Sequence, residues 1–203
     1  VMEMSHRGKD YAAIHAEAIA TFKELLGIGD DYSVLFVQGG ASLQFAMIPM
    51  NFLGKGQTAD YVNSGTWGNK AMKQAQAIGT VNVAANCQKD IPTRMPAASE
   101  FKWTPGAAYS HITTNETISG AELKDIPVTG SPLIADMSSD ILSCPREYNK
   151  FTMVYAGAQK NLGPAGMAVV VIRKDFAAKG SATIPTMLQY RTFVDEDSLY
   201  NTP

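Results

Sequence analysis

Residues 152–173 read Thr-Met-Val-Tyr-Ala-Gly-Ala-Gln-Lys-Asn-Leu-Gly-Pro-Ala-Gly-Met-Ala-Val-Val-Val-Ile-Arg, and this stretch decides the fold. Its two apolar runs, 152–156 and 168–173, are too short for buried helices and rich in β-branched and aromatic residues. Neither alternates with polar residues, so both read as strands covered on both faces of a sheet. Between them Gly157, Gly163, Gly166 and Pro164 surround a single lysine, Lys160. Small neighbours leave room for a ligand there, and partial desolvation would depress the lysine pKa and free the amine for Schiff-base chemistry. A solvated lysine on a hairpin fits the same spacing.

Working outward, the pattern repeats as helix and strand in turn. Tyr11, Ile14, Ala18, Phe22 and Leu25 predict an amphipathic helix over 9–28. A strand follows at 32–37, then a helix over 41–53 that Pro49 should kink or end early. Further strands are expected at 59–63, 81–85, 107–113 and 132–135, with a helix over 66–78. The stretch 87–106, with Pro92, Pro96 and Pro105, reads as irregular surface structure. The whole predicts an α/β layered domain with a mainly parallel or mixed sheet. In such folds ligands sit at the carboxyl ends of strands, so the loops there are where chemistry belongs.

Composition narrows the classes. The 203 residues carry 17 basic and 19 acidic groups, a net charge of −2, and 45% hydrophobic residues. That balance makes no nucleic-acid or membrane footprint. No apolar run reaches membrane-spanning length and no signal-peptide pattern opens the chain. Cys87 and Cys144 belong to no metal-type spacing, so no metal is expected, and they read as reduced, partly buried thiols of a cytoplasmic protein. The chain opens on Val1 without a leader and stops at Pro203 within a loop-like stretch, which is the expectation for a fragment of a longer protein.

Four strand ends other than the lysine loop carry candidate chemistry. Gln38-Gly39-Gly40-Ala41-Ser42 runs into a helix and could present backbone N–H groups to a phosphate, or serve only as a tight connection. Ser64-Gly65-Thr66-Trp67-Gly68 places an indole at a loop tip, to stack on a flat ring or to fold back on the core. Asn115-Glu116-Thr117 can donate to a ring hydroxyl or cap a turn. Asp136 ends an apolar strand, where a buried acid needs a partner: a protonated ring nitrogen, or the backbone of Ser138 or Ser139 in an Asx turn.

Taken together these segments resemble the phosphoserine aminotransferases, class-V aminotransferases that use pyridoxal 5′-phosphate (PLP). The resemblance rests on Tyr155-Ala-Gly-Ala-Gln-Lys-Asn-Leu-Gly-Pro-Ala-Gly166 and, in order, on Met-Ser-His-Arg (4–7), Gln-Gly-Gly-Ala-Ser-Leu-Gln-Phe (38–45), Ala-Asp-Tyr-Val (59–62), Asn-Glu-Thr-Ile (115–118), Ala-Asp-Met-Ser-Ser (135–139) and Ser-Leu-Tyr-Asn-Thr-Pro (198–203). It implies the aspartate-aminotransferase-like fold of PLP enzymes (fold type I), with residues 1–203 as the large PLP-binding domain, its seven-stranded sheet between helices, and an N-terminal segment and a C-terminal small domain lying outside. It implies amino transfer from L-glutamate to 3-phosphohydroxypyruvate, giving O-phospho-L-serine and 2-oxoglutarate, in a cytoplasmic homodimer. A further part in pyridoxine synthesis goes with the family in bacteria.

By position, the resemblance makes Lys160 the Schiff-base lysine and proton carrier and Asp136 the partner of the pyridine nitrogen. Trp67 would stack on the ring and Thr117 would meet its phenolic oxygen. Ala41, Ser42 and Gln159 would hold the phosphate, Asn201 and Thr202 would reach the neighbouring subunit's cofactor, and His6 and Arg7 would anchor substrate. Many relatives carry Gly-Arg where this chain has Ala41-Ser42, so its phosphate site would lean on backbone N–H groups. Without the N-terminal segment and the small domain, which in the family supplies further His and Arg groups for the substrate phosphate, the chain alone should be catalytically weak or inactive. Two other readings share the pattern: a cysteine desulfurase of the same fold group, which needs a reactive cysteine on a site loop, and a non-enzymatic α/β binding module.

Overall fold

The structure is a computed structural model and describes residues 3–91 and 93–201. Its centre is a seven-stranded sheet. The strands are β1 (Tyr32–Gln38), β2 (Thr58–Asn63), β3 (Thr80–Asn86), β4 (Ser110–Thr113), then, after the two-stranded ribbon β5 (Asn115–Glu116) and β6 (Ala121–Glu122), β7 (Leu133–Asp136), β8 (Met153–Gly157) and β9 (Met167–Arg173). Their order is β1-β9-β8-β7-β4-β2-β3. β9 runs antiparallel to both its neighbours, and the other pairings are parallel. The carboxyl ends of β1, β2, β4, β7 and β8 therefore share one edge, and the chain enters β9 from that same edge.

Helices cover both faces. α1 (Lys9–Leu26) lies with Leu26, Tyr32, Val34, Phe36, Val154, Val169 and Val171 on one side. α2 (Gly40–Phe52), α3 (Thr66–Gln76), α4 (Lys174–Ala177) and α5 (Tyr190–Asp195) pack with Leu35, Tyr61, Tyr155, Val170 and Ile172 on the other. Period-2 alternation sends Val169 and Val171 to one layer and Val170 and Ile172 to the other, so β9 is apolar throughout. Val170 and Ile172 are fully buried, and each such side chain stabilises the fold by roughly 1.5–3 kcal/mol.

The expected elements form, with three differences. The strand expected over 107–113 starts only at Ser110. α1 and α3 end at Leu26 and Gln76, where Gly27 in the left-handed region and a tight 77–79 turn stop them. Pro49 neither kinks α2 into two elements nor ends it early: the helix runs to Phe52, and the carbonyl of Pro49 accepts the N–H of Leu53 at 2.9 Å. Proline removes one backbone bond, at about 3 kcal/mol. Phe45, Met47, Ile48 and Phe52, all buried on α2, outweigh that cost through packing. The stretch 87–106 is irregular as expected, save for a single turn at Ala98–Glu100, with Pro92 outside the described residues.

The polar residues buried beside α2 tie down the end of the chain. Asn51 donates to the carbonyls of Met47 and Leu188, while Gln44 accepts the Tyr190 hydroxyl at 2.7 Å. At the β1 edge, the N–H of Phe36 donates to Ser198 Oγ at 2.9 Å, and His15 Nε2 lies 2.8 Å from the Asp197 carbonyl. Asp197 and Ser198 both adopt positive φ, so these two contacts hold a turn that ordinary residues avoid. No helix among the described residues is long and apolar enough to cross a membrane.

Candidate functional site

A cavity of about 340 Å³ opens at the shared strand edge. Its walls come from every element that the topology delivers there. Gly39–Ser42 and Phe45 enter from the end of β1 and the start of α2, and Trp67 from the start of α3. Thr113 ends β4 and Asn115 opens β5, Asp136 ends β7 with Ser138 and Ser139 after it, and Gln159, Lys160, Ala165 and Gly166 form the loop between β8 and β9.

The β1–α2 turn is built for close backbone approach. Gly39 has φ +84°, and a Cβ there would stand 2.6 Å from Leu43, so only glycine fits. Its N–H donates to the carbonyl of Gly166, itself at φ +105°, which closes the turn onto the lysine loop. Gly39 supplies no side-chain cap to α2, and among the described residues no side chain is seen bonded to its first-turn N–H groups. Its first-turn N–H groups, with the positive end of the helix dipole, thus border the cavity as an anion-binding surface.

Asp136 stands across the cavity, 4% exposed. Burial lifts its pKa to about 6. Hydrogen bonds from the Ser138 hydroxyl and N–H, and the charge of Lys160, pull it down, while Glu116 pushes it up. Both bonds from Ser138 land on Oδ1, at 2.6 Å from the hydroxyl and 2.9 Å from the N–H. The Ser138 hydroxyl is fixed in turn by the N–H of Gly157 at 3.0 Å. The Asx-type turn expected for Asp136 forms, and the same residue also faces the cavity.

Trp67 corrects one expectation. It lies half-buried in the first turn of α3, within the helix expected over 66–78, rather than on a loop tip. Its indole Nε1 donates to Thr117 Oγ1 at 3.1 Å, and Lys160 Nζ lies 3.5 Å from the same oxygen. The ammonium groups of Lys70 and Lys160 stand 4.5 and 5.2 Å from the indole centre, within cation–π reach. Lys160 corrects another: its side chain is exposed at the cavity mouth, not desolvated.

Other candidate residues lie apart. His6 and Arg7 occupy the turn before α1, and Asn201 is exposed at the far end of the chain; none lines the cavity. Thr202 falls outside the described residues. Cys87 is buried and Cys144 exposed, and neither borders the cavity, so no thiol is placed for sulfur chemistry. No cluster of metal-ligating side chains occurs among the described residues. Sequence reasoning missed Thr113, whose buried hydroxyl finds no hydrogen-bond partner among the described residues and which itself borders the cavity. It also missed Glu116 as a helix cap; only its place in the 115–117 triplet hinted at it.

A sheet with one antiparallel strand, an acid and a lysine at neighbouring strand ends, and an uncapped helix opposite define the class: the aspartate-aminotransferase-like fold of PLP-dependent enzymes. The family model of the class-V aminotransferases matches residues 1–203, and the chain belongs to that family. Phosphoserine aminotransferases from Niallia circulans and Herpetosiphon aurantiacus are 56% and 53% identical over the whole chain, which covers 56% and 57% of their lengths. The solved phosphoserine aminotransferase of Bacillus circulans subsp. alkalophilus superposes with TM-score 0.95 at 56% identity, all of this chain against 56% of that one. The PLP-bound phosphoserine aminotransferase of Trichomonas vaginalis gives TM-score 0.92 at 41% identity, covering all of this chain and 61% of its own. An aspartate aminotransferase from Thermus thermophilus, 16% identical with TM-score 0.77 over 95% of this chain and 57% of its own, shares the fold. The chain thus spans somewhat more than half the length of the relatives it matches.

Proposed function

We propose that this chain is the cofactor-binding part of a phosphoserine aminotransferase, moving the amino group of L-glutamate to 3-phosphohydroxypyruvate to give O-phospho-L-serine and 2-oxoglutarate. One observation carries the reading: a single cavity sets a buried acid, Asp136, against an uncapped helix N-terminus, with Lys160 and Trp67 between. That polarity fits PLP, whose phosphate is an anion, whose ring nitrogen is a cation when protonated, and whose aldehyde takes an amine. The names of the relatives support the substrate pair.

In this reading the backbone N–H groups of Ala41 and Ser42, with the Ser42 hydroxyl and the Gln159 amide, hold the phosphate. Asp136 would keep a proton on the ring nitrogen, Trp67 would cover one ring face and Thr117 would meet the phenolic oxygen. Bound there, the cofactor serves as an electron sink for the carbon that loses its proton. The Lys160 amine would be the group that carries the proton away from the substrate Cα. Arg7 would grip the substrate carboxylate bidentately and His6 would meet its phosphate, roles that rest on the resemblance, since neither lines this cavity. A homodimer in the cytoplasm, with Asn201 and Thr202 turned to the partner's cofactor, belongs to the same proposal. So does a further small domain that completes the phosphate site, which the greater length of the relatives supports.

The test is chemical. Borohydride treatment of the PLP-loaded protein should fix the cofactor's mass on the peptide that contains Lys160, and Lys160→Ala should abolish both the label and glutamate-dependent formation of phosphoserine. A label that persists elsewhere after Lys160→Ala removes the central residue; release of sulfide from cysteine in place of amino transfer replaces the reaction.

A further inference from the structure

Two glycines flank Trp67, and neither is explained by backbone conformation or by a ligand. Gly65 has φ 177°, extended backbone open to any residue. What excludes a side chain is a carboxylate: a Cβ on Gly65 would stand 2.6 Å from Glu116 Cδ and 2.7 Å from its Oε2. A Cβ on Gly68 would meet the Val62 carbonyl at 2.9 Å and Glu116 Oε1 at 3.2 Å. Gly65 is thus shaped around Glu116, which comes from the separate ribbon of β5 and β6, whereas Gly68 is held small first by the Val62 carbonyl and only then by that carboxylate.

Glu116 is fully buried, and the bonds of its carboxylate all go to this turn. Oε2 accepts the N–H of Trp67 at 2.9 Å, and Oε1 accepts the N–H of Gly68 at 2.7 Å and the Ser64 hydroxyl at 3.2 Å. No residue of α3's own chain segment caps that helix. An anion on the first-turn N–H groups, at the positive end of the dipole, satisfies donors that would otherwise be orphaned. The next residue, Thr117, holds the other end of the same tryptophan through its indole Nε1. Backbone and ring of Trp67 are therefore fixed by two consecutive residues of one ribbon.

We propose that Glu116 is a positioning residue: by clamping the first turn of α3 it sets where the Trp67 ring stands. The clamp also leaves α2 as the helix terminus open to the cofactor phosphate, because α3's is filled by a carboxylate. The role of Trp67 toward the cofactor ring rests on the function proposed above; the clamp itself does not.

The experiment reads the two separately. The indole N–H resonance of Trp67, assigned by its loss in Trp67→Phe, is recorded for the protein before and after PLP is added. Glu116→Gln is isosteric but sets an NH2 group against one of the two backbone N–H donors. It should shift or broaden the Trp67 resonance without cofactor and weaken PLP binding at least tenfold. Gly65→Ala leaves Glu116 in place and displaces its carboxylate, so it should move the same resonance, which covers the case in which Glu116→Gln does not fold. Asp60→Asn is the control. This other buried acid accepts from Thr104 N and Oγ1 and from Asn82 at 2.7–2.8 Å, away from the cavity. It should lower Tm and leave Trp67 unmoved. A Trp67 resonance unchanged in Glu116→Gln or in Gly65→Ala, or displaced equally by Asp60→Asn, overturns the clamp. A wild-type resonance indifferent to PLP overturns the cofactor reading instead, and leaves the clamp to stand or fall on the cofactor-free spectra.

Discussion

Asp136→Asn is expected to make the cofactor-free protein more stable at neutral pH while crippling amino transfer. The folded carboxyl keeps its proton up to about pH 6, whereas the unfolded chain loses it near 3.8. The folded state therefore binds more protons across that window, and stability falls as pH rises through it. A shift of this size corresponds to roughly 3 kcal/mol of strain above the window. Asparagine carries no charge to bury, yet its Oδ1 can still accept both bonds from Ser138. Denaturant unfolding of the cofactor-free variant should show a gain of about 1–3 kcal/mol at neutral pH, allowing for relaxation around the site. The gain should vanish below the ordinary carboxylate range. Turnover with PLP should fall on the order of 10²–10³-fold, because a preorganised charge is lost where the ring nitrogen must stay protonated. A variant that is no more stable than wild type at neutral pH would mean that Asp136 is not strained; near-normal turnover would remove its role.

That pairing of strain with function explains how much the chain disclosed before folding. Residues 152–173 were legible because β8 and β9 are apolar on both faces, and apolar runs report their own burial. Asp136 was legible as an acid at a strand end, since burying a charge is costly and marks a site. Pro49 misled because its local cost is visible in sequence, whereas the packing of Phe45 on Tyr155 of β8, and of Phe52 on Phe176 and Tyr190 of α4 and α5, is not. Trp67 misled in the same way. Its two glycines suggest a loop tip until Glu116, 49 residues away, occupies the space they leave. Lys160 shows the opposite limit. The loop composition predicted room around it correctly, but its exposure depends on what else covers the cavity mouth, which spacing does not encode.

Arg146→Leu should produce the largest loss of stability at a position outside the cavity. Arg146 and Asp140 are 7% and 4% exposed, with Nη2 2.7 Å from Asp140 Oδ2. Nη2 also reaches Glu122 Oε1, and Nη1 donates to the Leu123 carbonyl, each at 3.3 Å. Asp140 Oδ1 accepts the Thr114 hydroxyl at 2.6 Å. Thr114 in turn sends its N–H to the Asp136 carbonyl and receives that of Leu123. The network thus fastens the β5–β6 ribbon, which carries Glu116 and Thr117, to the segment that follows Asp136. Burial already raises the Asp140 pKa, with Thr114 and Arg146 opposing it. Removing the guanidinium leaves a buried carboxylate without its counter-charge, a change that costs about 3–5 kcal/mol. Because the folded pKa of Asp140 then rises further, the cost grows as pH climbs above the carboxylate range and shrinks in acid, where the group is neutral. Asp140→Asn added to Arg146→Leu should recover much of the loss at neutral pH, since no charge remains to bury. Urea unfolding of the single and double variants at acid and neutral pH measures all three quantities. A loss that is independent of pH, or undiminished in the double variant, would assign the effect of Arg146 to its packing and not to the charge of Asp140.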